Sequence, residues 1–340
     1  MRNVLDPVGV STMDSYLVPR WAAEWKRIID VVKGYHPYAD NYAAITPIPD
    51  IPSLRDDLRS VAPSLADFTD RLESHISAGG CGAFVPELCL SDFDDNTRAC
   101  LVYALAVCIG DPTQTDHKNR RVIWDVTPRK TETDYFPTFS EHDQEAAFHT
   151  DAQYYPVPEK YFALYVMKPA SCYGGRSTVC DARALRHAIE AKNKRWIIEE
   201  LHQRLLPFRV PSAFTTTQDS QDIQATIAPI FSDATSIRYR RDTLLDGLRY
   251  FPEYGDSDIV KALDAFDFEL KNIKVAAEVF MPKDSLMFID NHTALHARTA
   301  FVDRSRHLLR IRLQKDENIP IKYEMLTVKK LPTEAYDLIA

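Results

Sequence analysis

The sequence predicts a mainly β (α+β) fold with helical inserts, preceded by a helical N-terminal extension. Residues 14–76 carry apolar side chains at helical spacing, whereas from about residue 121 the chain changes to short runs rich in β-branched and aromatic residues. A His-x-Asp tripeptide at His149 and Asp151 places two potential metal ligands on one side of an extended segment. A third candidate, His296, has to arrive from another strand. This arrangement suits a β-barrel better than a helical bundle.

The N-terminal half is predicted to alternate helix and strand. The pattern predicts a first helix with one apolar face and a second helix that ends at Gly79-Gly80. A buried strand over 81–86 and a helix over 94–109 follow. The residues that define the two faces are Trp21, Trp25, Ile28, Ile29 and Val32 in the first, and Phe68, Leu72 and Ile76 in the second.

Short strands separated by two helical inserts are predicted for the rest of the chain. Asp181 can cap a helix running to about Leu206, and a second insert spans roughly 257–273. The run 161–167 is apolar throughout, which predicts burial on both faces. The other predicted strands are 122–126, 177–180, 275–281, 285–290, 294–299 and 306–314.

Composition narrows the class of protein. The chain has 340 residues, 45% of them apolar, which is enough for a substantial core. A net charge of −8 argues against nucleic acid or an anionic membrane surface as the partner, and no apolar run reaches membrane-spanning length. The N-terminus has an acidic residue and a proline where a signal peptide needs an apolar stretch, so a cytoplasmic protein is expected. The six cysteines form no C-x-x-C pair, and none is assigned to catalysis.

The candidate metal ligands are His149, Asp151 and His296. Two imidazoles and one carboxylate can occupy one face of a six-coordinate ferrous ion, which leaves the opposite positions open for oxygen and a co-substrate. The tripeptide alone is a weak signal, because such patterns arise often by chance. The residues around His296 strengthen it.

Several further motifs occur in order along the chain. They are Pro137-Thr138-Phe139-Ser140 leading to Phe148 and His149, the strand Gly174-Gly175-Arg176-Ser177-Thr178, Asp290-Asn291 before His296, and then Arg298, Phe301, Arg306 and Arg310. Together they resemble the iron(II)/2-oxoglutarate-dependent oxygenases of the taurine dioxygenase and clavaminate synthase-like group. The resemblance covers roughly residues 78–316.

The resemblance implies a fold and a division of the chain. The fold would be a double-stranded β-helix, or jelly roll, over 78–316, with a helical extension at 1–77 and a C-terminal tail at 317–340. We expect 1–340 to be a single oxygenase domain. The oligomeric state is left open.

It also implies cofactors and a reaction. Iron(II), 2-oxoglutarate and O2 would be used to hydroxylate an unactivated C–H bond of a small molecule, with release of succinate and CO2. Halogenating relatives have Gly or Ala where this chain has Asp151, so hydroxylation is the first expectation. Desaturation, epoxidation and ring closure are the alternatives with the same cofactors.

The arginines receive roles from their positions in the motif. Arg306 would clamp the distal carboxylate of 2-oxoglutarate, with a hydroxyl from Ser177, or less favourably Thr178, on the same group. Arg298 could reach 2-oxoglutarate or brace the metal loop. Arg310 would bind an anionic group of the substrate.

Arg238 and Arg240 lie where relatives have a substrate-side strand, and they make the segment basic where relatives that bind cationic guanidines carry acidic residues. This basic segment argues against an arginine-like substrate. The position of Arg310 implies a small substrate with an anionic group, an amino acid or a metabolite derived from one. Two other classes remain open at this point. A zinc hydrolase could use the same three ligands, and a catalytically silent barrel could bind a small molecule.

Overall fold

The structure is a computed structural model that describes residues 10–13, 23–115, 119–129, 139–211, 214–215, 222–315 and 324–329. Its helices are α1 (Trp25–Tyr35), α2 (Ile51–Val61), α3 (Pro63–Ser77), α4 (Asp95–Ile109), α5 (Ala182–Glu190), α6 (Arg195–Gln203), α7 (Arg241–Tyr250) and α8 (Ser257–Lys271). Its strands are β1 (Val10–Thr12), β2 (Gly82–Val85), β3 (Asp111–Pro112), β4 (Trp124–Val126), β5 (Ala146–His149), β6 (Tyr161–Lys168), β7 (Ser177–Asp181), β8 (Leu206–Arg209), β9 (Asp222–Ala228), β10 (Ala277–Val279), β11 (Leu286–Asp290), β12 (Ala294–Arg298), β13 (His307–Gln314) and β14 (Glu324–Lys329). Trp21 lies outside the described residues.

Two mainly antiparallel sheets pack face to face. The larger has the order β1-β2-β11-β6-β13-β3, with β4 also paired to β13, and the smaller has the order β10-β7-β12-β5. Strands β1 and β2 are parallel, whereas β6, β11 and β13 pair antiparallel. Apolar side chains from both sheets, among them Phe162, Leu308 and Val179, form one buried cluster between them. The prediction of a mixed fold of strands and helices is confirmed.

The alternation along β6 explains why its sequence is apolar throughout. Phe162 and Val166 point between the two sheets, whereas Tyr161, Ala163 and Tyr165 pack in the core formed with the N-terminal helices. Successive side chains of a strand point to opposite faces, so a strand covered on both sides needs no polar face. The predicted burial of this strand on both faces is confirmed.

The outer faces of both sheets are covered by helices. Helices α1 to α4 contribute to the core on the larger sheet, and α4 begins at the cap of Asp94, whose side chain accepts from the Thr97 amide. Helices α5 to α8 cover the smaller sheet through Cys180 and Leu295. Strands β7 and β12 are therefore covered from outside, and their inner faces carry apolar side chains such as Val179 beside polar ones such as His296.

The predicted helix from Asp181 to about Leu206 is two helices. The cap is as expected, since the Asp181 carboxylate accepts from the Arg183 and Ala184 amides. However, α5 ends at Glu190 and α6 starts at Arg195. Asn193, which lies between them, has a φ of 58°, and one left-handed residue is enough to end a helix.

A third sheet was missed from the sequence. It has the order β14-β9-β8, so part of the predicted C-terminal tail is a strand paired with β9. The segment of Arg238 and Arg240, where relatives have a substrate-side strand, is irregular over residues 237–240, and α7 begins at Arg241. Pairing between strands about a hundred residues apart leaves no local periodicity from which to predict it.

Asp284 anchors the turn before β11. Its carboxylate accepts from the Tyr165 hydroxyl at 2.6 Å and from the Leu90 amide at 2.8 Å, and its carbonyl accepts from the Leu88 amide. Its φ is 68°, a left-handed conformation that costs a side chain more than it costs glycine. The Pro282-Lys283-Asp284 turn thus holds the segment after β2 against the larger sheet.

We expect Asp284→Ala to lower the free energy of unfolding by about 2–4 kcal/mol, because two buried donors lose their acceptor. Asp284→Gly loses the same hydrogen bonds but relieves the left-handed backbone, so it should be less destabilising by about 1 kcal/mol. Urea unfolding of the three proteins measures both differences. Wild-type stability in the Ala variant would contradict this role for Asp284.

Candidate metal centre

The pairing of β5 with β12 brings the two predicted histidines together. His149 lies directly opposite His296 in the antiparallel register, and the ring centroids are 4.1 Å apart. Phe162 packs 4.6 Å from the His296 ring, and Phe139 packs edge-on 4.8 Å from the His149 ring. The imidazoles are therefore walled by aromatic rings between the sheets.

Asp151 completes a group of three possible metal ligands. Its Oδ1 lies 3.7 Å from Nε2 of His149 and 3.7 Å from Nε2 of His296. The three ligand atoms all lie within 4.8 Å of one another, and no other such group occurs among the residues the structure describes. Bonds of about 2.1 Å put adjacent ligand atoms roughly 3 Å apart, so the three groups need only close in slightly around an ion.

The two imidazoles are held in their neutral form. Burial lowers the pKa of His296 to about 4, and burial followed by the nearby His296 lowers the pKa of His149 well below its usual value. The Ala147 carbonyl lies 2.8 Å from Nδ1 of His149, and since a carbonyl only accepts, Nδ1 carries the proton. Nε2 of His149 is then unprotonated, and its lone pair is available to bind a metal next to Asp151.

Asn291 fixes the backbone of Asp151. Its side-chain oxygen accepts from the Asp151 amide at 2.7 Å, and its amide nitrogen donates to the carbonyls of Asp151 and Glu159. The sequence marks Asn291 as part of a motif, but it gives no role for it. Its contacts show that Asn291 links the turn between β11 and β12 to the segment that carries the Asp151 carboxylate.

Arg298 braces the loop before β5. Its guanidinium donates to the carbonyls of Phe139, His142 and Gln144 at 2.6–2.9 Å. Of the two roles predicted for Arg298, the structure therefore favours bracing over a contact with 2-oxoglutarate. Pro137 and Thr138, which the sequence analysis grouped with Phe139, lie outside the described residues.

Arg310 lies against the carboxylate ligand. Its Nη1 is 2.9 Å from Oδ2 of Asp151. Burial alone would raise the pKa of Asp151, but the charge of Arg310 is the main cause that outweighs it, so the pKa of this carboxyl is lowered. Asp151 is thus an anion in the metal-free protein. If Arg310 also contacts substrate, as predicted, the same guanidinium has to bind both Asp151 and the substrate.

Arg306 is a buried cation without an acidic partner among the described residues. Burial, and then the charge of Arg298, lowers its pKa to about 9. Nη1 has no hydrogen-bond partner, and Nη2 lies 3.3 Å from the Gly175 carbonyl. A Cβ on Gly175, whose φ is 67°, would lie 2.8 Å from Nε of Arg306, so the glycine permits this close approach. Such a guanidinium fits a carboxylate ligand.

The two hydroxyl candidates on β7 point in opposite directions. Ser177 is buried on the inner face, paired with Arg298 and 3.3 Å from the sulfur of Met281. Thr178 is the next residue of the strand, so its side chain lies on the outer face. The alternative assignment of Thr178 to the cofactor is therefore wrong on geometry.

Arg238 and Arg240 differ in the same way. Arg238 is buried, and its guanidinium donates to the carbonyls of Gln153, Tyr155 and Pro156, so it holds that loop and is not presented to a substrate. Arg240 pairs with Asp242 and lies over the Phe139 ring at 4.0 Å. Because Phe139 contacts His149, Arg240 remains beside the metal-ligand cluster, and its substrate contact stays a prediction.

Comparison with known families identifies the class. The family described as "Taurine catabolism dioxygenase TauD, TfdA family" matches residues 58–312, and the chain belongs to it. The protein is therefore an iron(II)/2-oxoglutarate-dependent dioxygenase that uses iron(II), 2-oxoglutarate and O2. The predicted family, enzyme class and cofactors are confirmed.

Solved structures with the same fold share little sequence. An asparagine oxygenase with Fe(II), 2S,3S-3-hydroxyasparagine and succinate has a TM-score of 0.64 at 14% identity, over 90% of this chain and 93% of that one. A variant of the non-heme iron oxygenase OrfP with (3S)-hydroxy-L-Arg has a TM-score of 0.61 at 17% identity, over 90% and 94%. Curated proteins give no match. None of the helices in the described part of the chain has the length and apolar character needed to cross a membrane.

The depressed histidine pKa values predict that the metal-free protein loses stability in mild acid. Unfolding lets His296 return to a pKa near 6.5, so between about pH 6.5 and 4 the unfolded chain binds a proton that the folded one does not. The contribution of neutral His296 to the free energy of unfolding is complete above pH 6.5 and is smaller by about 2 kcal/mol at pH 5. His149 acts in the same direction. Urea unfolding at pH 7 and 5 measures the loss, which should be smaller in His296→Asn. An equal loss in both proteins would contradict the account.

Proposed function

We propose that this dioxygenase hydroxylates an unactivated C–H bond of a small substrate with one anionic group, an amino acid or a metabolite derived from one. The observation that carries the proposal is the coexistence, between the same two sheets, of three converging metal ligands and an unpaired buried guanidinium, Arg306. A dianionic co-substrate and an anionic substrate are the ligands that this distribution of charge favours.

His149, Asp151 and His296 would hold the iron(II). Two neutral imidazoles beside an ionised carboxylate are a donor set for a divalent cation, and it leaves three positions of a six-coordinate ion free. When bound, iron with 2-oxoglutarate and O2 supplies the oxidising chemistry that releases succinate and CO2. The protein's own contribution is to fix the ligands, and the Phe139 and Phe162 rings keep bulk water from the imidazoles.

Arg306 would bind the distal carboxylate of 2-oxoglutarate. A buried guanidinium is costly unless it is paired, and a carboxylate matches its two-pronged geometry. Ser177 lies on the same inner face and would add a hydroxyl. In this assignment the unfavourable burial of Arg306 in the metal-free protein is offset when the co-substrate binds.

The charges around the site support an anionic substrate. The inter-sheet space holds Arg306, Arg310 and Arg312 against the carboxylates of Asp151 and Glu159, of which Arg312 and Glu159 lie 3.6 Å apart. Arg298 adds a fourth guanidinium on the inner face, so the positive charges exceed these two carboxylates by two. Addition of a divalent ion and a dianionic co-substrate leaves that excess unchanged, which favours a substrate with a carboxylate. Nε of Arg310 has no partner and is available for it.

The amino-acid assignment draws on the solved relatives. The structures of the asparagine oxygenase and of the OrfP variant contain bound hydroxylated amino acids, and these proteins share the fold of this chain. We further infer that the two facing sheets are the halves of a double-stranded β-helix, and that residues 1–340 fold as one oxygenase domain.

The direct test is turnover. Purified protein with iron(II), 2-oxoglutarate and O2 should release succinate in a substrate-dependent way with a panel of amino acids, and product masses should rise by one oxygen. The matched amides, which lack the carboxylate charge, should be poor substrates. His296→Ala should abolish turnover, because it leaves one imidazole and the carboxylate of Asp151 to hold the iron. Full activity of His296→Ala, or equal turnover of acids and amides, would contradict the proposal.

Arg306→Leu should raise the KM for 2-oxoglutarate about ten- to a hundredfold, because a charge-assisted hydrogen bond contributes about 1.5–3 kcal/mol. It should leave the stability of the metal-free protein unchanged or increased, since a buried unpaired charge is removed. Arg195→Leu, on an exposed turn of α6, is the control for loss of one arginine. Saturation curves and urea unfolding measure both effects. An unchanged KM would contradict the role of Arg306.

A further inference from the structure

The two oxygens of Asp151 lie in different surroundings. Oδ1 is equidistant, at 3.7 Å, from Nε2 of His149 and of His296. Oδ2 is 2.9 Å from Nη1 of Arg310, an ion pair without hydrogen-bond geometry. One oxygen therefore points to where the metal would lie, and the other points to a cation. The carboxylate is divided between two tasks.

Both partners of this ion pair are fixed by the fold. Arg310 lies in the middle of β13, which pairs with β6 on one side and β4 on the other, so its backbone is held on both edges. The amide and carbonyl of Asp151 are both bound by Asn291. The carboxylate cannot turn Oδ2 toward the histidines without giving up the contact with Arg310.

This matters because a carboxylate binds a metal through one oxygen or through two. With two oxygens, Asp151 would take one of the three positions that a six-coordinate ion keeps for co-substrates. We propose that Arg310 is a positioning residue that holds Oδ2 and so keeps Asp151 a one-oxygen ligand. The inference rests on the proposed metal site. It assigns Arg310 a task that precedes any contact with substrate.

The two tasks of Arg310 predict different behaviour without substrate. If Arg310 only bound the substrate anion, its removal would leave the coordination of a metal in the substrate-free protein unchanged. If it positions Asp151, its removal frees Oδ2 to coordinate, and one water leaves the metal. The number of metal-bound waters therefore separates them, whereas activity would not.

The test uses Mn(II), which favours six-coordinate sites and whose bound waters are counted by water-proton relaxation, with no 2-oxoglutarate or substrate present. Wild type should retain about three waters, Arg310→Leu about two, and Arg310→Lys about three, because the ammonium can still contact Oδ2. Arg306→Leu removes another buried guanidinium, one that is not paired with Asp151, and should also retain about three. Circular dichroism confirms folding of each variant.

Unchanged hydration in folded Arg310→Leu would overturn this proposal while leaving the metal site intact. If that variant does not fold, the wild-type count decides: about two waters means that Asp151 already binds through both oxygens, which overturns the proposal, and about three supports it. Failure of wild type to bind Mn(II) would overturn the metal site and this inference with it.

Discussion

The antiparallel pairing of β5 with β12 is the constraint on which the site depends. It sets His149 opposite His296, and a slip of one residue would turn one imidazole toward the helices that cover the outer face. Leu295, which precedes His296, is buried in that outer core and opposes such a slip. The same alternation of apolar and polar residues thus builds the core and aims the ligands.

The inner faces of the sheets concentrate arginines, and each has a different environment. Arg298 is bound by backbone carbonyls, Arg310 by Asp151 and Arg312 by Glu159, whereas Arg306 has no acidic partner among the described residues. Buried cations do not help a protein fold unless they are paired. Their presence between the sheets is explained if the missing negative charge comes from bound ligands. The unpaired charge then lowers the stability of the metal-free protein, and it strengthens the binding of anionic ligands.

Much of this site could be predicted from the sequence, because its signals are local. A His-x-Asp tripeptide at a strand end, an apolar run at 161–167 and a cap at Asp181 are each decided by neighbouring residues. The contacts that complete the site are not local. Asn291 reaches Asp151 across 140 residues, and Arg298 reaches His142 across 156.

The errors have the same origin. Arg238 is predicted to bind substrate because it lies where relatives have a substrate-side strand, but three carbonyls of the 153–156 loop bind it in the interior. Thr178 and Ser177 differ only in the face to which they point, and the strand boundary that decides it is set by pairing with β12. Sequence specifies which residue types are available, whereas the pairing of distant strands decides which of them meet.

The central claim is that one metal ion binds between the sheets at His149, Asp151 and His296. Anomalous diffraction from a crystal of the protein loaded with Co(II) under anaerobic conditions tests it most directly. The account predicts a single strong peak within about 2.3 Å of Nε2 of both histidines and of one oxygen of Asp151, next to Arg310. The claim would be contradicted if the Co(II) peak lay at other residues. It would also be contradicted if the crystal contained bound Co(II) but no peak lay between the two sheets.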